Sequence, residues 1–418
     1  MAPERRRVVV TGLGAATPLG VGVERFWERC LRGESGISPI RDFDTTGYTC
    51  TIAGQVPDFD PLACLDKKAA RRMARFSQFA VAATVQALAD AQLHLEQEDR
   101  TRIGVVLGNG IGGLPNLQEA VRVMYERGGM RLDPLVIPRI LPNMAASNIS
   151  MQFGLLGYNN TVVTACAAGT QAIGDAAELI RRGAADVVVT GGTEAALAEV
   201  ALGAFAVMRA LTSRNHDPTR ASRPFDAARD GFVPAEGAGI LLLESEEHAR
   251  RRGVRIRAEV AGYGASADAY HLVAPDEAGD GPVRAIEWAL ADAGVRPEEI
   301  DYINAHGTST PLNDAAETRA IKRALGEAAF RVPISATKSM IGHAFGAGGA
   351  IESVAVVRTL ETGRIHPTIN LETPDPACDL DYVPNAARAA EVRVALKNSF
   401  GFGGQNACLV FRRYDAGA

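Results

Sequence analysis

Short runs of β-branched and aliphatic residues alternate along the chain with Ala-rich stretches whose apolar positions recur at helical spacing. The short runs predict buried strands over 7–11, 102–107, 161–164, 186–190, 239–243, 257–262, 302–304 and 408–411. The Ala-rich stretches predict helices over 71–92, 169–182, 245–251, 282–293, 314–325 and 348–362. Gly183 is a suitable C-cap for the helix ending near Arg182. This alternation predicts an α/β protein with a mostly parallel sheet.

The order of features occurs twice. Val8-Val9-Val10-Thr11-Gly12-Leu13-Gly14 reads as a strand entering a glycine turn, and so does Glu259-Val260-Ala261-Gly262-Tyr263-Gly264. Each half then has a strand, a turn with reactive residues and a small-residue helix, at Cys166 and at Lys338 to Gly349. Each also has a strand running into a glycine pair, Gly191-Gly192 and Gly403-Gly404. The reading is an internal duplication with halves 1–255 and 256–418.

Composition narrows the function. The 418 residues are 47% hydrophobic and 22% charged, which excludes a disordered chain. A net charge of -5 argues against bulk attraction to nucleic acid or anionic membrane. The 43 glycines follow no Gly-X-Y period, so they imply tight turns and close backbone approaches. The six cysteines form no CxxC pair, no apolar region follows the basic opening, and no apolar run is long enough to span a membrane. The expectation is a cytoplasmic protein with reduced thiols.

Two glycine motifs carry no nucleotide chemistry. Gly12-Leu13-Gly14-Ala15-Ala16-Thr17 has Thr at the third glycine position and Pro18 where a helix should begin. Gly108-Asn109-Gly110-Ile111-Gly112-Gly113 lacks the Lys-Ser/Thr of a P-loop. Cys166 is more informative, because a strand delivers it to the start of a helix, where the dipole and free N–H groups favour thiolate. A buried, inert cysteine is the competing reading. His306 ends a predicted strand, and His343 lies in a glycine-rich segment, positions where α/β sites collect. Cys166 and the two histidines lack the short ligand spacing that a metal site needs, so no metal is assigned. His94, His216, His248, His271 and His366 read as surface or structural residues.

Taken together, several motifs resemble one family. They are Val9-Val10-Thr11-Gly12-Leu13-Gly14, Thr164-Ala165-Cys166, Arg229-Asp230-Gly231-Phe232, Asn304-Ala305-His306-Gly307-Thr308, Lys338-Ser339-Met340-Ile341-Gly342-His343 and Asn398-Ser399-Phe400-Gly401-Phe402-Gly403-Gly404. In this order they resemble the elongating β-ketoacyl-acyl carrier protein synthases of the thiolase-like superfamily. The resemblance implies a duplicated, five-layered αβαβα fold with two mixed, mainly parallel sheets. It implies decarboxylative Claisen condensation of an acyl chain, held as a thioester on Cys166, with malonyl-acyl carrier protein in fatty-acid elongation.

The resemblance also implies residue roles. His306 and His343 donate hydrogen bonds to the enolate, and the N–H groups of Cys166 and Phe402 form an oxyanion hole. Lys338 and Glu352 fix the charge and orientation of His343, with Glu317 in the same polar cluster. Phe402 gates an acyl pocket that includes Ile111, Val136, Ile137 and Phe205; Val136, where homologues often carry an aromatic, implies a roomier pocket. Lys67, Lys68, Arg71, Arg72, Arg131 and Arg209 form a surface for the acidic acyl carrier protein. No cofactor is expected, since the carrier's phosphopantetheine arm belongs to the substrate. Some relatives bind a monovalent cation near residues matching Asn304, Glu352, Asn398 and Ser399; here it is unassigned. The expected assembly is a homodimer, or a heterodimer with a chain-length-factor homologue.

Three alternatives remain on the sequence. The chain can be the catalytic ketosynthase of a type II polyketide synthase. A non-catalytic chain-length partner should lack the nucleophile, and Cys166 argues against that. A coenzyme A thiolase should carry a second cysteine near the C-terminal glycine turn, where this chain has Phe400 and Phe402.

Overall fold

The computed structural model describes residues 5–56 and 59–415. Ten strands form its main sheet: β1 (Val8–Thr17), β2 (Ile103–Gly108), β3 (Asn159–Val162), β4 (Val187–Glu194), β5 (Gly237–Ser245), β6 (Ala258–Ala267), β7 (Tyr302–Asn304), β8 (Ile334–Ser335), β9 (Val394–Gly401) and β10 (Gln405–Arg413). A short segment, Gly20–Val21, pairs back onto β1. The order across the sheet is β8-β7-β9-β10-β6-β1-β5-β4-β2-β3.

The duplication is explicit in this order. Outward from the middle, β1-β5-β4-β2-β3 and β6-β10-β9-β7-β8 follow the same sequence of strands. Both make two antiparallel pairings and then two parallel ones. Among the described residues the two half-sheets pair through Val9↔Glu259 and Val10↔Ala258. The expected picture of two mainly parallel sheets therefore changes in two respects. The sheets are continuous, and parallel pairing is confined to the outer strands, where helices make the crossovers.

Five helices build the layers: α1 (Arg75–Asp90), α2 (Ala168–Arg181), α3 (Asp280–Ala293), α4 (Pro311–Leu325) and α5 (Phe345–Thr362). Helix α1 covers the outer face of the first half and α3 that of the second, with α4 packed against α3. Helices α2 and α5 lie between the halves and touch both. Helix α5 is buried on every face from Phe345 to Val357, as a central layer requires.

The two GxG motifs are not turns. Both lie mid-strand, in β1 and β6, and a Cβ at Gly12 or Gly14 would collide with the Ala87 and Ala83 carbonyls of α1. Gly262 and Gly264 meet the Ala289 and Ala285 carbonyls of α3 in the same way. The glycines let each outer helix approach its strand backbone to backbone. Likewise Gly191 and Gly192 lie within β4, whereas Gly403 and Gly404 form the β9–β10 hairpin. The helix expected over 71–92 breaks at Met73 and Ala74, which are extended, into Lys67–Arg72 and α1. Arg75 at the break is drawn to the Glu236 carboxylate and the Val56 carbonyl.

Candidate active site

Cys166 sits in a single 3-10 turn, Ala165–Ala167, that leads directly into α2. Ala165 before it has φ 48°, a left-handed conformation costing a non-glycine residue about 1–2 kcal/mol. Phe345, at the start of α5, has φ 43°. These strained residues flank the nucleophile and His343, the kind of place where backbone strain collects. The thiol faces a cavity of about 440 Å³ whose walls include Ile111, Phe205, His306, His343 and Phe402.

His343 Nε2 lies 3.1 Å from Cys166 Sγ, and its Nδ1 has no partner among the described residues. The His306 and His343 rings stand 5.5 Å apart at 85°. Phe232 meets the His343 ring edge to face at 5.3 Å. The backbone N–H groups of Phe402 and Cys166 both point at Sγ. This is the donor pair expected for an oxyanion hole, although its members are 236 residues apart in sequence.

His306 follows β7 on a loop held by Glu317 of α4. That carboxylate accepts the N–H groups of His306 and Gly307 at 2.7 and 2.8 Å. Lys338 Nζ donates to His306 Nδ1 at 3.3 Å and to the His306 carbonyl at 2.7 Å, and pairs with Glu352 Oε1 at 2.6 Å. Lys338, paired with Glu352, thus holds His306, not His343 as expected; His343 feels the Lys338 charge without a bond to it. A donor on Nδ1 places the proton of a neutral His306 ring on Nε2.

Burial dominates the electrostatics. It holds His306 well below the usual histidine range, assisted by Lys338, His343 and Lys397. It does the same to His343, assisted by Lys338 and Lys397. Both rings are neutral near pH 7. Burial also pushes the Cys166 thiol up to about 12, against the pull of Lys338 and the two N–H groups. The expectation of a resting thiolate is corrected: desolvation outweighs the helix terminus.

Two site residues were not anticipated. Lys397, on β9, is fully buried. Its ammonium contacts the Asn398 carbonyl and Ser399 Oγ (3.1 Å), and faces Glu352 Oε2 at 2.8 Å, off the hydrogen-bond direction. The oxygens that a monovalent cation would use at Glu352, Asn398 and Ser399 therefore already surround a positive charge, and the position does not fit a second one. Glu194, at the end of β4, accepts N–H groups from Gly110 and Gly346 at 2.7 and 3.2 Å, tying the cavity loop to α5. Burial pushes Glu194 up to about 7. Its sequence signal was slight, a lone carboxylate at the end of an apolar strand. Beneath the site, buried His366 joins Asn304, Thr337, Ser335 and Tyr302 in a structural polar network.

The remaining predicted positions divide. Ile111, Phe205 and Phe402 line the cavity, and Arg209 lies at its rim. Val136 and Ile137 do not line it; they belong to a surface helix, Val136–Ile140, and Ile137 is 59% exposed. Lys67, Lys68, Arg71 and Arg72 line a separate surface groove with Arg139. Arg131 is exposed in the short turn Gly129–Arg131.

Comparison with known proteins agrees with this geometry. Residues 5–249 match the family described as "Beta-ketoacyl synthase, N-terminal domain", and residues 257–372 match its C-terminal domain. A 3-oxoacyl-[acyl-carrier-protein] synthase 2 of Synechocystis is 51% identical over 411 residues, covering 98% of this chain and 99% of the relative. The protein of the same name from Staphylococcus aureus is 46% identical over 413 residues, covering 99% and 100%. A solved type II polyketide ketosynthase, in complex with its acyl-carrier protein and bound to the hexaketide, superposes with a TM-score of 0.89. It is 39% identical, with 99% of this chain and 100% of that one covered. The chain belongs to the beta-ketoacyl synthase family.

Proposed function

We propose that this chain is an acyltransferase that elongates fatty acids, condensing an acyl group with malonyl-acyl carrier protein to give a β-ketoacyl-acyl carrier protein. The observation that carries this reading is the triad of Cys166 Sγ, His343 Nε2 at 3.1 Å and the neutral His306 ring in one cavity. The 51% identical synthase over nearly the whole chain supports fatty-acid elongation in particular.

Each group has a defined task. Cys166 Sγ attacks the acyl thioester while His343 Nε2 receives and keeps the thiol proton. The ring's Nδ1 proton leaves in exchange through solvent, which protonates the departing carrier thiolate, so that His343 enters the next step as a neutral Nε2–H donor. The Cys166 and Phe402 N–H groups stabilise the tetrahedral oxyanion. Malonyl-carrier then places its thioester oxygen against the Nε2–H groups of His306 and His343. Carbon dioxide departs, and the electron pair of the broken C–C bond becomes an enolate held by those two neutral donors. The enolate carbon attacks the acyl-Cys166 carbonyl, and collapse expels the Cys166 thiolate, which takes the proton from His343 Nε2 while Nδ1 regains one from solvent. Lys338 and Glu352 position His306 throughout.

The basic groove of Lys67, Lys68, Arg71, Arg72 and Arg139, with Arg131 and with Arg209 at the cavity rim, suits an acidic carrier protein. Among the described residues no helix is long and apolar enough to cross a membrane. We place the reaction in the cytoplasm, with a homodimer as the working assembly, no resident cofactor and the halves divided near residue 255. The polyketide ketosynthase at TM-score 0.89 favours a second reading, a type II polyketide subunit working with a chain-length-factor homologue.

Reconstitution separates the two. Purified chain, acyl-carrier and malonyl-carrier should release carbon dioxide and yield a β-ketoacyl-carrier two carbons longer. Product formed only after a second homologous subunit is added would favour the polyketide reading. No product in either mixture would end both.

A further inference from the structure

The least explained group in the molecule is Lys397. It is a lysine in the middle of an eight-residue strand, with 0% of its surface exposed. Isolated buried ammonium groups are costly, so this one has to be held by compensating oxygens. Three are present: the Asn398 carbonyl, Ser399 Oγ at 3.1 Å and Glu352 Oε2 at 2.8 Å. An ammonium has three N–H donors and no acceptor, while an all-oxygen donor set is also what a hard metal cation seeks. Asn304, the register partner of Lys397 in β7, adds a buried side-chain oxygen with no partner among the described residues.

The neighbourhood connects this charge to both halves of the catalytic site. Glu352 bridges Lys397 to Lys338, and Lys338 holds the His306 ring and carbonyl. On the other side, Ser399 Oγ hydrogen-bonds Thr170 Oγ1 at 2.7 Å, on the helix that begins beside Cys166. Asn398, next in the strand, donates to Glu317 at 3.3 Å, the carboxylate that holds the His306 loop.

We infer that Lys397 is a positioning residue whose ammonium serves as a built-in cation, filling the oxygen cluster of Glu352, Asn398 and Ser399 and so freeing the site from any need for a dissolved monovalent cation. As a statement about catalysis it rests on the reaction proposed above. The Lys397 charge also helps to keep both histidines neutral, which is their donor form.

The test uses full-length protein at constant ionic strength in potassium, ammonium or tetramethylammonium chloride. Two properties are read: malonyl-carrier decarboxylation and the thermal midpoint. The parent should be the same in all three salts, within twofold in rate. Lys397→Ala opens a space the size of a small cation. It should lose at least tenfold in tetramethylammonium, and potassium or ammonium should restore rate and raise the midpoint. Lys397→Met fills the space without charge and should stay slow in every salt. A parent that is faster or more stable in potassium than in tetramethylammonium would overturn the inference, even if the variants fail to fold. So would a Lys397→Ala variant with parental rate in tetramethylammonium, or one whose loss no small cation relieves. A parent that never decarboxylates malonyl-carrier counts against the proposed reaction, while the midpoints still decide the role of Lys397.

Discussion

Replacing Glu352 with Gln tests the electrostatic design at its most exacting point. The carboxylate is fully buried, with Lys338 Nζ at 2.6 Å on one oxygen and Lys397 Nζ at 2.8 Å on the other. Gln keeps the shape and removes the carboxylate charge that pairs with both ammonium groups. Breaking a buried pair by removing one partner costs about 3–5 kcal/mol. The cost is bounded independently, because one lysine can shed its proton instead. From an ordinary value of 10.5, that costs about 5 kcal/mol at pH 7. A lysine whose folded-state pKa is lowered binds fewer protons folded than unfolded, so the variant gains stability as pH rises towards 10.5, by about 1.4 kcal/mol per unit. Urea unfolding of parent and variant, followed by tryptophan fluorescence at pH 7 and pH 9, measures both quantities. The expected gap is about 3–5 kcal/mol at pH 7 and shrinks by roughly 2–3 kcal/mol at pH 9. A gap below about 1 kcal/mol, or one that ignores pH, would refute the reasoning.

Further outcomes follow from the same geometry. Cys166→Ala should abolish condensation yet retain malonyl-carrier decarboxylation, because both histidines remain; His306→Ala or His343→Ala should slow decarboxylation by roughly 100-fold or more. Parental rates in both histidine variants, measured by carbon dioxide release, would defeat the enolate assignment. Burial lowers His366 to about 4, whereas the unfolded histidine titrates at 6.5, so this residue costs stability as pH falls from 6.5 to 4. At pH 5 the cost is about 2 kcal/mol, and the His366 ring, read by NMR of labelled histidine, should still be neutral. Charge reversal of Lys68, Arg71 and Arg72 together should raise KM for the carrier-bound substrate and weaken its salt dependence, leaving kcat with a free pantetheine thioester unchanged. An equal loss with both substrates would argue that the groove is not the docking surface.

The sequence made much of this site legible, and its failures have physical causes. Cys166, His306, His343, Lys338 and Phe402 were readable because motif order placed them; all but Lys338 line one cavity, and Lys338 bonds His306 from behind it. Strand β9 was read only as a strand running into Gly403-Gly404, without bounds, since Lys397, Asn398 and Ser399 interrupt its apolar run; those polar side chains are buried beside the site. The GxG segments read as turns because a glycine pair has two uses, positive φ or close approach, and only packing of α1 and α3 decides between them. The thiolate expectation weighed a helix terminus that sequence reveals against a desolvation that it does not. Val136 and Ile137 were placed in the acyl pocket by resemblance, yet their helix lies on the surface of this chain.

The central claim is that Cys166 accepts an acyl chain from a carrier protein. Intact-mass analysis after incubation with saturated and polyunsaturated acyl-carrier proteins of graded length tests it directly, with peptide mapping to locate the adduct. A single acyl adduct confined to Cys166 is expected with saturated chains, and none in Cys166→Ala. No adduct with any chain, with or without a second homologous subunit, or an adduct on another cysteine, would contradict it.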